Sequence, residues 1–383
     1  MSSIEDPALA VRAAAAAVPA TSLPPARSKV ALIAGAIAAT GLMRAAEYLM
    51  PAPMAMMMRL TGSWQTQLLH VAARLEIADR VAAGPKSTVE LAAESGSDPD
   101  ALHRALRALA TVGVFTMDSE GRVRNNRLSE TLRRGGVASM RDPACYFGSP
   151  ASAQAWGDLE TTVRTGRPSF PRVHGASLWS WLAARADEGD AFAGTMTSFT
   201  EQDAPSIAAS FDFGRFEKVC DVAGGRGTLL AEILVQHRRP RGLLFDQKDV
   251  LDRAVPYLAS RGIEGRIELE PGSFFDRVPS GCDAYVLKDI LHDWDDARCK
   301  AILDQVSFAM KPGATLLVSE ILVEKNSTLL PGPLIDIHMM TICDAGRQRS
   351  EGEMATLLAG SGLALRKVHP TKTAIAIVEA QRA

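Results

Sequence analysis

Near Ser210 the hydrophobic pattern of this chain changes its period, and that change constrains the fold more than any other feature. Downstream of it, short apolar runs alternate with helical segments. Lys218 to Val222, Gly242 to Asp246, Ile267 to Leu269, Asp283 to Leu287 and Ala314 to Ser319 are the expected strands. Thr228 to Gln236 and Ala297 to Met310 are the clearest helices between them, the second opening on the N-cap Asp295 and stopping at Pro312-Gly313. Such alternation predicts an α/β fold, a doubly wound, Rossmann-like and mostly parallel sheet whose ligands bind beyond the carboxyl ends of the strands.

Upstream, from Met58 to about Pro205, the spacing is helical, with one short hairpin. Leu68, Ala72, Leu75 and Ala78 recur on one helix face, and Ser87-Thr88-Val89-Glu90 is a capping box that opens a second helix ending near Gly96. Asp98, Pro99 and Asp100 start a third, bearing Leu102, Leu106 and Leu109; Val114 to Met117 and Arg122 to Arg124 then read as a hairpin. This order is winged-helix-like. The expected division is an N-terminal extension over 1–50, a mainly α winged-helix-like part over 51–205 and the α/β part over 206–383.

The winged helix invites a DNA-binding reading, but the would-be recognition helix offers only His103, Arg104 and Arg107 for phosphates. A net charge of -2 gives no global attraction to polyanions either, so no nucleic-acid partner is expected. The apolar run Val30 to Met43 is shorter than the roughly 20 residues that cross a bilayer, so neither a membrane nor export is expected, and the protein is placed in the cytoplasm. That run and the Met-rich stretch Met54 to Met58 suit packing on the protein or on a second subunit, which favours a homodimer. Five scattered cysteines form no metal-ligand or disulfide pattern, and no carboxylate set looks dedicated to a metal.

At the expected strand ends the residues carry chemistry. The first strand runs into Asp221-Val222-Ala223-Gly224-Gly225-Arg226-Gly227, a loop that points a helix amino end at a ligand; Leu230, where a dinucleotide fingerprint has its third glycine, disfavours NAD. Asp246 closes the second strand, where a carboxylate can accept from both hydroxyls of a ribose. Ser273 and Phe274 follow the third, with core packing an equal competitor for the phenylalanine. The fourth strand delivers Lys288 and then Leu291-His292-Asp293-Trp294, and the fifth delivers Glu320. Of seven histidines only His292 lies just past a central strand end with an acid at the neighbouring one, which makes it the candidate base.

These motifs, with Val173-His174-Gly175 and Gly346-Arg347-Gln348-Arg349-Ser350, resemble the S-adenosylmethionine-dependent O-methyltransferases of the plant caffeic-acid and acetylserotonin type and their bacterial natural-product relatives. The resemblance runs from about Met58 to the C-terminus. It implies a dimerising N-terminal domain and S-adenosylmethionine as cofactor. Asp221, Gly224 and Gly225 then border its methionyl part, Asp246 its ribose, Ser273 and Phe274 its adenine and Lys288 its far side. His292 becomes the general base, oriented by Glu320, and Phe192, Met196, Met339 and Gln348 match positions around a small hydroxylated acceptor; the first three also suit a plain core.

Three departures stand out. Ala223 replaces the loop's first glycine, Ser273 replaces an acidic partner of the adenine amino group, and Gln348 replaces a second glutamate beside the histidine, which predicts a weaker base. A phenol of pKa about 10 is mostly protonated at neutral pH and needs a base that an aliphatic alcohol would defeat, so a phenolic or enolic hydroxyl is favoured. The rival readings are N-methylation or decarboxylation on the same scaffold, and a dimeric winged-helix DNA-binding regulator.

Overall fold

A computed structural model describes residues 47–383, together with 41, 42 and 45. The Ala/Pro-rich prefix and most of the run Val30–Met43 lie outside the described residues.

The front of the chain follows from its caps. Ser87 accepts the amide of Glu90 while the Glu90 carboxylate accepts the amide of Ser87, closing the capping box of the helix Thr88–Ser95; Gly96 ends it at φ 66°. Asp98 caps the helix Pro99–Thr111, whose Leu102, Leu106 and Leu109 are buried against Ile77, Leu91, Phe115 and Val123. Three short strands form the wing: β1 (Lys86–Ser87), β2 (Thr116–Met117) and β3 (Arg122–Arg124), antiparallel in the order β1-β3-β2. The helix Ala52–Leu60 that precedes this unit buries no residue, and Met54, Met57, Leu60 and Trp64 are each more than half exposed.

The second part is a seven-stranded sheet in the order β6-β5-β4-β7-β8-β10-β9. β4 (Lys218–Val222), β5 (Arg241–Asp246), β6 (Ile267–Pro271), β7 (Ala284–Lys288) and β8 (Thr315–Glu320) are parallel, within a residue or two of the expected strands. β9 (Leu363–Pro370) and β10 (Ala376–Arg382) add an antiparallel edge the periodicity did not indicate: β9 is half solvated and broken by charge. Both faces are covered. Val219, Leu244, Val286 and Leu317 pack to one side, and Cys220, Phe245, Leu287 and Val318 to the other, which is why the strands read as continuous apolar runs. Each such side chain contributes roughly 1.5–3 kcal/mol by burial.

The chain winds β4-β5-β6 to one side of β4 and returns to β7 on the other, so a crevice opens where the winding reverses. The 25-residue helix Ala186–Ser210 crosses from one part to the other. Its far end, with Ala204, Ile207 and Ala208, is buried against the sheet-covering helix Thr228–Gln236, and the expected boundary at 205/206 falls inside it.

Candidate active site

A cavity of about 480 Å3 occupies that crevice. The loop after β4, the end of β5, Ser273 and Phe274 after β6, and Lys288 at the end of β7 line it; Phe192 and Met196 from the helix Ala186–Ser210 form the opposite wall. Met339 lies outside it, buried with Phe170, Leu178 and Cys343; the buried Asp221, Glu320 and Gln348 and the half-buried His292 are not among its walls either.

The loop after β4 is built on close approaches. A Cβ at Gly224 would fall 2.5 Å from the Asp221 carboxylate and from Leu244 Cδ1, so any larger residue must displace one of these buried side chains. Gly225 takes φ 60° and donates its amide to Asp246 Oδ2 at 2.8 Å; Asp246 Oδ1 accepts the amide of Gln247 at 2.7 Å. Ala223 sits at φ 56°, a left-handed conformation that costs an L-residue roughly 1–2 kcal/mol, held by the hydrogen bond its N–H donates to the Phe245 carbonyl. The departure at 223 is therefore one of backbone strain rather than of space. Burial and then the nearby Asp246 push the Asp221 carboxyl up to about 7, and its Oδ2 is buried without a partner.

Burial alone would lower the Lys288 ammonium, but Asp289, in contact with it, and Asp203 at 3.8 Å raise it. Ser273 accepts the amide of Phe275 at 3.2 Å, fixing the loop after β6. Phe274 is both cavity wall and core neighbour: its ring meets Trp294 at 6.3 Å, and Trp294 stacks on Trp179 at 5.7 Å.

The turn Leu291–Asp293 carries the histidine. Glu320, 1% exposed, does not meet the imidazole; its Oε1 accepts the amides of Leu291 (2.7 Å) and His292 (3.1 Å), gripping the turn by its backbone. On the other side the buried Arg349 donates to the carbonyls of Leu291 (2.8 Å) and Trp294 (2.9 Å), and Arg347 donates its amide to the His292 carbonyl at 2.8 Å. The ring nitrogens face two further side chains: Nδ1 lies 2.8 Å from the Gln348 amide nitrogen, and Nε2 lies 3.5 Å from Asp293 Oδ1. Burial opposes charge on this ring, yet Asp293, Glu320 and Asp289 together raise its pKa above the ordinary value. The weaker base expected from Gln348 is thus offset by other carboxylates. Asp293, a cavity wall, is itself pushed up to about 6 by burial.

The sequence motifs contain Asp289, Asp293 and Arg349 without assigning them a task, and Trp179 lies in none of them. The usable signals are the acids adjoining Lys288 and the candidate base and the arginine next to Gln348; nothing local marks Trp179.

Two family models match: an O-methyltransferase domain over residues 156–364 and an O-methyltransferase dimerisation domain over 57–135, the winged-helix part. The chain belongs to the O-methyltransferase family. Among its relatives, phenazine O-methyltransferase PhzM of Lysobacter antibioticus is 38% identical over 322 residues, covering 84% of this chain and 94% of that one. An 8-amino-8-demethylriboflavin N,N-dimethyltransferase of Streptomyces davaonensis is 35% identical, covering 82% and 90%. A solved structure of the O-methyltransferase NcsB1 from neocarzinostatin biosynthesis, in complex with S-adenosylmethionine and 2-hydroxy-5-methyl naphthoic acid, matches at TM-score 0.72 and 33% identity, covering 83% of this chain and 96% of that one.

This methyltransferase is S-adenosylmethionine-dependent, and the cavity suits that cofactor. The partnerless Asp221 Oδ2 beside the cradle at Gly224 is an acceptor awaiting a donor such as an ammonium, and Asp246 and the Phe274 ring offer a sugar acceptor and an aromatic face. Among the described residues, no helix is long and apolar enough to cross a membrane.

Proposed function

We propose that this methyltransferase acts on a phenolic or enolic hydroxyl of a small aromatic molecule of secondary metabolism, with His292 as the base that takes the hydroxyl proton. S-adenosylmethionine supplies an electrophilic methyl group. The chain's own residues bind, orient and deprotonate: Asp221 holds the methionyl ammonium with Gly224 and Gly225 beside it, Asp246 the ribose, Ser273 and Phe274 the adenine, and Lys288 closes the far side. Phe192, Met196 and Met339 shape the acceptor's surroundings. Glu320 positions the histidine through the backbone of its turn.

The observation that carries this reading is the pair of contacts on His292. To receive a proton on Nε2, next to the cavity wall Asp293, the ring must keep its proton on Nδ1. A half-turn of the Gln348 amide places Oε1, which otherwise is buried without a partner, where Nδ1–H donates to it. The ring then presents a bare Nε2. Aligning oxygen, methyl and sulfur in line supplies much of the remaining rate.

N-methylation is the second reading, motivated by the neutral Gln348 and by a relative named as an N,N-dimethyltransferase. A panel of matched phenols and anilines, incubated with isotopically labelled S-adenosylmethionine and mapped by mass spectrometry, separates the two. Methyl on oxygen supports the proposal; methyl on nitrogen alone rejects it.

We also propose that two copies join through the 57–135 part and the exposed helix Ala52–Leu60, whose Met54, Met57 and Leu60, three residues apart and each more than half exposed, form an apolar face for a second copy to cover.

A further inference from the structure

A second histidine, His338, stands in this region without a task. The helix Gly332–Ile342 carries it half-buried. Its ring stacks on Trp156 (5.9 Å, 16° between planes) and meets the edges of Phe147 at 5.3 Å and Tyr146 at 6.3 Å. The Trp156 indole donates to His338 Nδ1 at 3.2 Å. An indole N–H can only donate, so Nδ1 must be the bare nitrogen and the proton resides on Nε2. That Nε2–H has no hydrogen-bond partner among the described residues. Burial pushes the imidazole down to about 4, and charge on the nearby His292 acts in the same direction, so the ring is neutral at physiological pH.

The ring is linked to the cavity. Tyr146 touches Phe192 edge-on at 5.3 Å, Phe192 touches Trp179 at 5.7 Å, and both Phe192 and Trp179 are cavity walls. A neutral imidazole, its tautomer fixed by a tryptophan, thus belongs to an aromatic cluster that continues into the cavity wall and lies within electrostatic reach of the candidate base. An imidazole N–H with no protein partner is free to donate to a bound oxygen, and rings on several sides suit a flat guest. The His338 ring is neutral and Asp293 acts on the adjoining Tyr146, so the cluster offers an anion no cation of its own, which argues for a neutral oxygen over a carboxylate.

We infer that His338 Nε2–H hydrogen-bonds a carbonyl oxygen of the methyl acceptor, so that the preferred acceptor is a flat hydroxyarene carrying a ketone or quinone carbonyl in addition to the hydroxyl that is methylated. This rests on the methyl-transfer reading above and names the substrate class of that same site.

Binding to the full chain tests it without turnover. S-adenosylhomocysteine is titrated first by calorimetry; its failure to bind would overturn the methyltransferase reading itself. With that ligand saturating, three probes of one shape follow: 6-hydroxy-2-acetonaphthone, 6-ethyl-2-naphthol and 6-hydroxy-2-naphthoate. The ketone binds about tenfold more tightly than the ethyl compound, the effect of one buried hydrogen bond. His338→Phe, which keeps the ring stack, reduces the ketone to the affinity of the ethyl compound and leaves the latter unchanged, whereas His338→Gln, with an amide donor, retains part of the difference. The naphthoate binds no more tightly than the ketone. A ketone preference that persists in His338→Phe, a loss shared equally by ketone and ethyl probes, a His338-dependent preference for the carboxylate, or no binding of any probe to the cofactor-product complex would overturn the inference.

Discussion

The Gln348 amide nitrogen stands 2.8 Å from Nδ1 of His292, in the position where a carboxylate would hold the imidazole as a cation. An amide cannot. It selects which ring nitrogen carries the proton without adding charge, and the charge that raises this histidine comes from Asp293, Glu320 and Asp289.

Gln348→Glu therefore adds a carboxylate against a ring whose pKa is already raised. As the proposed base His292 works only when neutral, and a new anion favours the imidazolium, so the acidic limb of the pH dependence of kcat/KM moves to higher pH. A limb that moves down, or stays, would show that residue 348 does not act on the ring.

His292→Ala lowers kcat by roughly two to four powers of ten, the range for removing a general base, while the Kd for S-adenosylhomocysteine stays near its wild-type value. Wild-type turnover in this variant would assign the proton to another group.

At Gly224 the geometry leaves no room for a methyl group. Gly224→Ala would press on the Asp221 carboxylate and on Leu244, each 2.5 Å from the new Cβ, and the expected result is at least a tenfold loss of cofactor affinity with a stability loss of about 1–3 kcal/mol. Calorimetry and chemical denaturation measure the two effects. Unchanged affinity would remove the loop from the cofactor site.

Asp221 makes a prediction about stability and pH. Its folded pKa, about 7, lies above the ordinary carboxylate value of 3.8, so the folded state binds this proton more tightly than the unfolded chain does. The group costs nothing below pH 4; stability falls as pH rises from there to about 7, and the full penalty persists above it. Without cofactor, Asp221→Asn is then indistinguishable from wild type near pH 4 and more stable at pH 8, yet binds the cofactor less well. Thermal unfolding at the two pH values decides; a variant less stable at pH 8 would mean the carboxylate has a stabilising partner.

Dimer formation is tested at the exposed front helices. Introducing charge at two of its large apolar residues, Met57→Glu with Trp64→Glu, should yield monomers by light scattering with the wing intact by circular dichroism. A persistent dimer would locate the interface elsewhere.

The sequence disclosed most of this where the physics is local. Capping boxes and N-caps at Ser87, Asp98 and Asp295 formed as read, because a side-chain oxygen three residues from an amide needs no other part of the fold. The parallel strands were legible because burial on both faces makes them continuous apolar runs. β9 was not, since an antiparallel edge strand with one wet face carries no such run. His338 was hidden for a different reason: its tautomer is fixed by Trp156, 182 residues away, and no window on the sequence brings the two together. The same holds for Glu320, whose hold on the Leu291 and His292 amides depends on strand register.

The helix Ala186–Ser210 also bears on how such a chain acquires new substrates. Its early turns present Phe192 and Met196 to the cavity, and Asp203, seven residues or about 10 Å beyond Met196, answers Lys288 at the sheet. One helix thus has an interchangeable end and an anchored end. Substitutions confined to its first half, and to the side of Gly332–Ile342 that packs with Phe192, can remodel the cavity wall without disturbing the strand termini proposed to hold the cofactor. Divergence of specificity within one lineage then needs no change of catalyst, only new upholstery on two helices.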